Sequence, residues 1–271
     1  MPIKLITHCM GNTNKLPVNP VIAILMCTYN GGLYLTDQLD SIAAQTHSNW
    51  KLYVSDDGST DNTLTVLAQY QLRWGITKME IRRGPSKGSA ANFLSLGCDS
   101  YIDADLFAFC DQDDVWLPNK LHAAVLYLSQ RNHAKPHLYG SRTTTVDESL
   151  NIMGASPLFA FPCGFRNALV QNIAGGNTMV FNQAAKQLLC LASIPDVPVH
   201  DWWTYLLITG SGGHVYVDPN AYILYRQHEQ ALIGANTSAK KRMRRIFSVW
   251  RGELQTWTNQ HILALKKSSH L

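Results

Sequence analysis

Three times in the first 115 residues a largely apolar run stops abruptly in a short polar stretch. Residues 21–27 stop at Thr28-Tyr29-Asn30, residues 50–55 at Asp56-Asp57-Gly58, and residues 106–110 at Asp111-Gln112-Asp113-Asp114. Short runs this apolar read as strands buried on both faces, the pattern of a parallel sheet. Between them, Leu35, Leu39, Ile42 and Ala43, then Leu64, Leu67, Ala68 and Leu72, recur at helical spacing. A further strand is expected near residues 78–82, and a helix through Asn92-Phe93-Leu94. Strand, loop and helix thus alternate four times, which predicts right-handed crossovers and a doubly wound, mostly parallel sheet flanked by helices. In such sheets ligands gather beyond the carboxyl ends of the strands, so the three polar stretches are expected to share one rim.

The second half is less regular. A helix follows Pro118 through Leu121, Val125 and Leu128, and residues 138–140 and 142–146 read as strand. Residues 151–165, with Gly154, Pro157, Pro162 and Gly164, form a loop-rich stretch suited to covering a site. Gly175-Gly176-Asn177 turns into a strand, residues 184–191 form a helix, and His200-Asp201-Trp202-Trp203 opens another. Strands at 215–217 and 222–225 lead to Arg226-Gln227-His228. The expected organisation is a flexible lead-in over residues 1–19, one α/β domain over 20–235, and a basic, amphipathic helical segment over 236–271.

The densest chemistry lies at Asp111, Asp113 and Asp114. Three like charges this close repel by roughly 1 kcal/mol per pair even in water. Asp111 and Asp113, two residues apart at a strand end, point the same way, which suits a divalent cation with oxygen ligands. The competing reading is an acidic turn before a helix near Pro118, with Asp114 at its N-terminal end. Asp57 is expected to face a ligand, a nucleobase or ribose, and Asp61 to cap the next helix. His200-Asp201, at a helix start after a proline-rich loop, fits either a cap or a general base beside a water-excluding tryptophan pair.

Other classes fall away. No GxGxxG follows the first strand, and there is no P-loop and no GxSxG. The formal net charge is +4, and Lys240, Lys241, Arg242, Arg244, Arg245 and Arg251 account for the excess, so the body is near neutral and a nucleic-acid partner is not expected. The six cysteines show no CxxC and no zinc spacing, which predicts a reducing, cytoplasmic setting. No signal pattern opens the chain, and no apolar run approaches the ~20 residues that span a bilayer.

Taken in order, Cys27-Thr28-Tyr29-Asn30-Gly31, Gln45-Thr46, Ser55-Asp56-Asp57-Gly58-Ser59-Thr60-Asp61, Gly88 with Asn92-Phe93, Cys110-Asp111-Gln112-Asp113-Asp114-Val115-Trp116, Gly175-Gly176-Asn177, His200-Asp201-Trp202-Trp203 and Tyr225-Arg226-Gln227-His228 resemble the family 2 glycosyltransferases of GT-A fold, especially their rhamnosyltransferase-type members. The resemblance covers about residues 20–235. It implies that Thr28, Tyr29, Asn30 and Asp57 hold the nucleobase and ribose of a sugar nucleotide, with Gln112 beside them. Lys87, Gly88 and Asn92 lie near its sugar or phosphates. Asp111 and Asp113 form a DxD motif that binds ribose and a divalent metal, Mn²⁺ or Mg²⁺, with His228 approaching the same metal. Asp201 is the base that deprotonates the acceptor. The implied activity is inverting transfer of a sugar, rhamnose from dTDP-rhamnose before a UDP-sugar, to a glycan or lipid-linked acceptor in bacterial surface polysaccharide assembly. Two other classes stand beside it, a catalytically inactive sugar-nucleotide-binding scaffold and a nucleotidyltransferase, the latter lacking its basic loop after the first strand. One departure is Glu229-Gln230, where a small residue and Asn often follow the histidine.

Met243, Phe247, Trp250, Leu254 and Trp257 fall on one helical face next to the basic cluster. Such a helix suits an anionic membrane surface, peripheral on the cytoplasmic face of the inner membrane; the alternative is docking on the body or on a second subunit.

Overall fold

The structure, a computed structural model, describes residues 15–159, 163–228 and 253–268. Its first half alternates as expected: β1 (Ile22–Thr28), α1 (Leu35–Ala43), β2 (Trp50–Asp56), α2 (Thr63–Trp74), β3 (Met79–Arg83), α3 (Ser89–Gly97) and β4 (Leu106–Cys110). There follow β5 (Val115–Trp116), α4 (Lys120–Leu128), β6 (His137–Val146), β7 (Ile152–Ala155), α5 (Phe165–Ala168), a 3₁₀ turn at Gly176–Thr178, β8 (Val180–Asn182), α6 (Gln183–Leu191), α7 (His200–Gly210), β9 (His214–Arg226) and α8 (Glu253–Lys267).

The strands form one sheet in the order β3-β2-β1-β4-β8-β6-β9-β5, with β7 paired to β6. The pairs among β3, β2, β1 and β4 are parallel. β8 runs against both β4 and β6, and β9 runs parallel to β6. Two reversals restore direction, so β1, β2, β4, β6 and β9 all deliver their carboxyl ends to the same edge. β8 starts at that edge, which brings the 3₁₀ turn before it to the same place.

Burial follows the strand period. Ala23, Leu25 and Cys27 of β1 join Phe107 and Phe109 of β4 in the layer under α3, α6 and α7. Ile22, Ile24 and Met26 join Leu106, Ala108 and Cys110 in the opposite layer, under α1, α2 and α4. Each buried Ile, Leu or Phe stabilises by about 1.5–3 kcal/mol relative to exposure. The two faces are filled independently, which fixes the register of the central strands.

Three departures from the sequence expectations are physical, and at the C-terminal segment one of the two expected alternatives is met. The strand pieces at 138–140 and 142–146 are one strand, as are those at 215–217 and 222–225, because β6 and β9 pair along their length with register shifts near Arg142 absorbing the irregularity. The loop-rich 151–165 contains a strand, β7, held by Thr144 and Thr145. Asp114 does not stand at a helix start: β5 intervenes and pairs with Ile223 and Leu224 of β9, and the helix begins only at Lys120. Finally, α8 docks on the body. Trp257 and Leu265 pack on the core layer around α7, and a groove between the two helices is lined by Leu169, Trp202, Leu206, His261 and Ile262. Met243, Phe247 and Trp250 of the proposed membrane face lie outside the described residues, as do the basic cluster and Glu229-Gln230. Among the described residues no helix is long and apolar enough to cross a membrane.

Candidate active site

At the β1–β2 end the polar side chains divide into those that build the rim and those that face outward. Thr28 is buried, and its hydroxyl donates to Asp56 Oδ2 at 2.8 Å. Asp56 also accepts the N–H groups of Gly58 and Ser59 through Oδ1. Asn30 Oδ1 accepts the N–H of Thr60 at 2.8 Å. Asn92 is 1% exposed, its Oδ1 accepting from Ser55 Oγ at 2.5 Å and its Nδ2 donating to Ser55 O at 2.9 Å. Both ends of that amide are therefore occupied behind the rim, and Asn92 supports β2 rather than reaching outward. The N-cap residue of α2 is Asn62 and not the expected Asp61, which stands one residue earlier and accepts the N–H of Thr63 through Oδ1.

Asp57 is placed differently. Its Oδ1 accepts the N–H of Ser86 at 2.6 Å and its Oδ2 that of Gly88 at 2.8 Å, so the carboxylate shapes the loop that carries exposed Lys87. Gly88 takes φ +87, a left-handed conformation that suits glycine, and α3 starts directly after it. A carboxylate has lone pairs left after two such bonds, so Asp57 can still accept from a ligand. Tyr29 is 59% exposed while its backbone is clamped: its N–H donates to Gln112 Oε1 at 2.9 Å and its carbonyl accepts from Gln112 Nε2 at 3.1 Å. Gln112 thus ties the β1 end to the β4 end and leaves the Tyr29 ring free to stack on a base.

Past β4 the three acids have three roles. Asp114 is fully buried; its Oδ2 accepts from Asn177 Nδ2 at 2.5 Å and its Oδ1 from the N–H of Arg226 at 3.3 Å. It joins the β4 end to the 3₁₀ turn and to the end of β9. Burial, then the charges of Asp113 and Asp111, push its carboxyl well up. Asp114→Leu leaves Asn177 and one backbone N–H without a buried partner. Each such group costs about 1–3 kcal/mol, so a drop in unfolding free energy of about 2–6 kcal/mol is expected in urea, whereas Asp114→Asn, which keeps an acceptor in place, should lose less than half of that.

Asp113 Oδ2 lies 2.8 Å from His228 Nε2, although 115 residues separate them in sequence. Asp111 is pushed up to about 8, first by burial and then by the charges of Asp113 and Asp201. The first turn of α7 is joined to the end of β4 through the 3₁₀ turn, whose Gly176 N–H donates to Asp201 and whose Asn177 donates to Asp114. Among the described residues no group of three or more His, Cys, Asp or Glu is placed to hold a metal ion.

Asp201 is fixed by backbone donors. The N–H of Gly176 reaches Oδ2 at 3.0 Å and the N–H of Trp202 reaches Oδ1 at 2.6 Å. Burial raises its carboxyl to about 6 even though these bonds, with one from Asn172, favour the charged form. Gly176 has no room for a side chain, since a Cβ would come 2.6 Å from His200 Nε2. His200 is not the base: it stacks on Phe93 with ring centroids 4.0 Å apart, and burial lowers it to about 3, so it stays neutral. Trp202 anchors the neighbouring segment through Nε1, which donates to Ala168 O at 2.6 Å.

One group at the site carries no sequence signal. Arg226, Tyr34 and Asp37 meet beside Asp113 and His228: Arg226 Nη2 lies 2.7 Å from Asp37 Oδ2, and its guanidinium covers the Tyr34 ring at 4.4 Å. Arg226 belongs to the Tyr225-Arg226-Gln227-His228 stretch, but nothing in the sequence pairs it with α1.

Comparison with known proteins agrees with this architecture. The model of the family described as Glycosyl transferase family 2 matches residues 23–189. A dTDP-rhamnosyl transferase, RfbG, of Shigella flexneri is 30% identical over 232 residues, covering 82% of this chain and 78% of that protein. The Escherichia coli enzyme named UDP-Glc:alpha-D-GlcNAc-diphosphoundecaprenol beta-1,3-glucosyltransferase WfgD is 29% identical over 191 residues, 69% of each chain. In fold, the chain is similar to the mannosyltransferase PcManGT of Pyrobaculum calidifontis, solved with GDP-Man and Mn²⁺, with a TM-score of 0.56 at 14% identity over 94% of this chain and 88% of that one. It is likewise similar to Staphylococcus aureus TarS residues 1–349 with UDP-GlcNAc, at TM-score 0.56 and 16% identity over 78% and 59%. The family match spans β1 to α6, the elements that carry the acidic rim, and on that ground the chain belongs to glycosyl transferase family 2, with a GT-A-type α/β fold.

Proposed function

We propose that the chain catalyses inverting transfer of a sugar from a nucleoside diphosphate donor to a hydroxyl of a glycan or lipid-linked glycan. The observation that carries this reading is the junction of α7 with the end of β4 through the 3₁₀ turn: the Gly176 N–H donates to Asp201 at 3.0 Å and the adjacent Asn177 donates to Asp114 at 2.5 Å, which sets Asp201 beside the acidic stretch. In this arrangement the donor lies along the rim, with its base on Tyr29, its ribose between Asp57 and Asp111, and its diphosphate toward Asp113, His228 and Lys87. Asp201 takes the proton of the acceptor hydroxyl as that oxygen bonds to the anomeric carbon. The bond from that carbon to the diphosphate breaks on the opposite face, which inverts the centre. A carboxyl near 6 is matched to a general base working at neutral pH.

A divalent cation fits the donor set. Oxygen and imidazole donors suit Mn²⁺ or Mg²⁺, and a cation held by one or two carboxylates plus substrate phosphates needs no closed protein cage. Asp113 and His228 would hold it, with Asp111 beside them, and it would neutralise charge on the leaving diphosphate. Rhamnose carried on dTDP is the favoured donor, because RfbG is named for it; a UDP-sugar is the second, because WfgD is named for one.

The test is a thermal-shift screen of dTDP, UDP, GDP and their sugars, with and without Mn²⁺. One base is expected to raise Tm by about 5 °C or more at saturating nucleotide with metal, and by clearly less without it. No shift with any of them removes the reading.

A further inference from the structure

Arg226 has a more specific task than filling the end of β9. Its side chain is 3% exposed, and three of its donors are taken. Nε donates to the main-chain carbonyl of Asp113 at 3.0 Å, Nη1 to that of Glu148 at 2.6 Å, and Nη2 to the Asp37 carboxylate at 2.7 Å. The face of the guanidinium covers the Tyr34 ring, and the same ring meets the His228 imidazole with centroids 4.9 Å apart. His228 Nε2 returns to the Asp113 side chain at 2.8 Å. The contacts close a circuit: Arg226 to the Asp113 backbone, the Asp113 side chain to His228, His228 to Tyr34, and Tyr34 back to Arg226. The backbone on both sides is pinned as well. The N–H of Arg226 reaches Asp114 Oδ1 at 3.3 Å, and that of Gln227 reaches Val146 O at 2.9 Å.

Such a circuit has little value as bulk stability. A buried charge pair seldom stabilises more than a packed apolar replacement does. Its value is geometric, because a guanidinium offers rigid, planar donors that a lysine cannot reproduce. The Tyr34 ring also limits rotation of the imidazole, which keeps Nε2 directed at Asp113.

We propose that Tyr34, Asp37 and Arg226 act as a positioning clamp that sets the separation and orientation of Asp113 and His228, and thereby the affinity for the divalent cation that accompanies a nucleoside diphosphate. The proposal rests on the cation reading given above. None of the three residues touches the reacting atoms; they act through Asp113 and His228. α1 carries Asp37 and starts next to Tyr34, so the clamp also couples that helix to the cation pair.

The test uses the full chain with UDP, dTDP and Mn²⁺ as probes. Nucleotide affinity is measured by titration calorimetry with no metal and with saturating Mn²⁺, together with the Mn²⁺ concentration for half-saturation and the Tm of the metal-free protein. Tyr34→Ala and Asp37→Asn are expected to raise the half-saturating Mn²⁺ concentration about tenfold, the scale seen when groups that orient metal ligands are removed. Metal-free nucleotide affinity should stay near wild type, while Asp37→Asn lowers the metal-free Tm because the buried Arg226 charge loses its carboxylate, and Tyr34→Phe, which keeps the ring, should restore normal Mn²⁺ affinity. Equal weakening with and without metal overturns the clamp in favour of a purely structural role. Wild-type Mn²⁺ affinity in both variants also overturns it while leaving the cation reading intact. If wild-type protein binds nucleotide equally well with and without Mn²⁺, the cation reading fails and the clamp falls with it.

Discussion

Asp201→Asn is expected to lower kcat by roughly 10²–10⁴-fold, the range that a positioned base contributes, while the donor nucleotide binds within about twofold of wild type. The asparagine occupies the same volume and retains an oxygen to accept from the Gly176 N–H, but it cannot take the acceptor's proton. In the proposed arrangement the donor is held by the β1, β2 and β4 ends and Asp201 acts only on the acceptor, so donor affinity has no reason to follow kcat. The pH dependence gives the same prediction a second measurement. The carboxyl is raised to about 6, and the base must be unprotonated, so wild-type kcat/KM should rise with pH, bend near 6 and then level. Stability moves with the opposite sign. A carboxyl whose folded pKa lies above its unfolded value of 3.8 favours the folded state when protonated. That contribution is complete below about 3.8 and is lost as pH rises through about 6. Above pH 6 the wild-type carboxylate therefore costs up to about 3 kcal/mol. The Tm of Asp201→Asn relative to wild type should improve between pH 4.5 and 7.5, read by calorimetry or dye-based melting. Near-normal turnover in this variant takes the role of base away from Asp201.

The rim was legible in the sequence where function coincides with strand ends. Thr28, Asp57 and Asp111 each follow an apolar run, and a parallel sheet has one carboxyl edge. Their direction was not legible. Gln112 and Asn92 sit where a ligand-binding residue belongs, yet Gln112 clamps the Tyr29 backbone and Asn92 closes on Ser55. A polar side chain beside a site looks the same in sequence whether it faces a ligand or supports the loop that does. Asp114 was misplaced for a related reason. The two-residue strand that displaces the helix start exists only through pairing with Ile223 and Leu224, and no local propensity announces a partner so distant. The Arg226 contacts with Tyr34 and Asp37 are hidden in the same way, since the pattern around residue 226 says nothing about α1. A face that suits a membrane suits the flank of another helix equally well, and Trp257 packs on the layer around α7, the docking alternative.

Asp113→Ala is expected to abolish the Mn²⁺-dependent part of donor binding and to leave the metal-independent part. Removing a group that only orients a metal ligand already weakens metal binding 10–100-fold, so losing the carboxylate itself should cost about 100-fold or more in the half-saturating Mn²⁺ concentration. The Tyr29 ring and Asp57 remain, so nucleotide without metal should bind as in wild type. The substitution is also a clean one. Arg226 Nε bonds the main-chain carbonyl of residue 113, which alanine retains, and the removed side chain contacts only His228 among the hydrogen bonds described. Electrostatics then makes the metal-free variant no less stable, because the charge of Asp113 is among the causes that raise both Asp111 and Asp114. The expected combination is a lost metal response with an unchanged or slightly higher Tm in the absence of metal. Calorimetric titrations of UDP and dTDP with and without Mn²⁺, alongside melting curves, read both halves. A variant that binds nucleotide in Mn²⁺ as tightly as wild type counts against Asp113 as the ligand. A variant whose Tm falls by several degrees shows instead that its pair with His228 carries structural weight that the repulsion around it does not cancel.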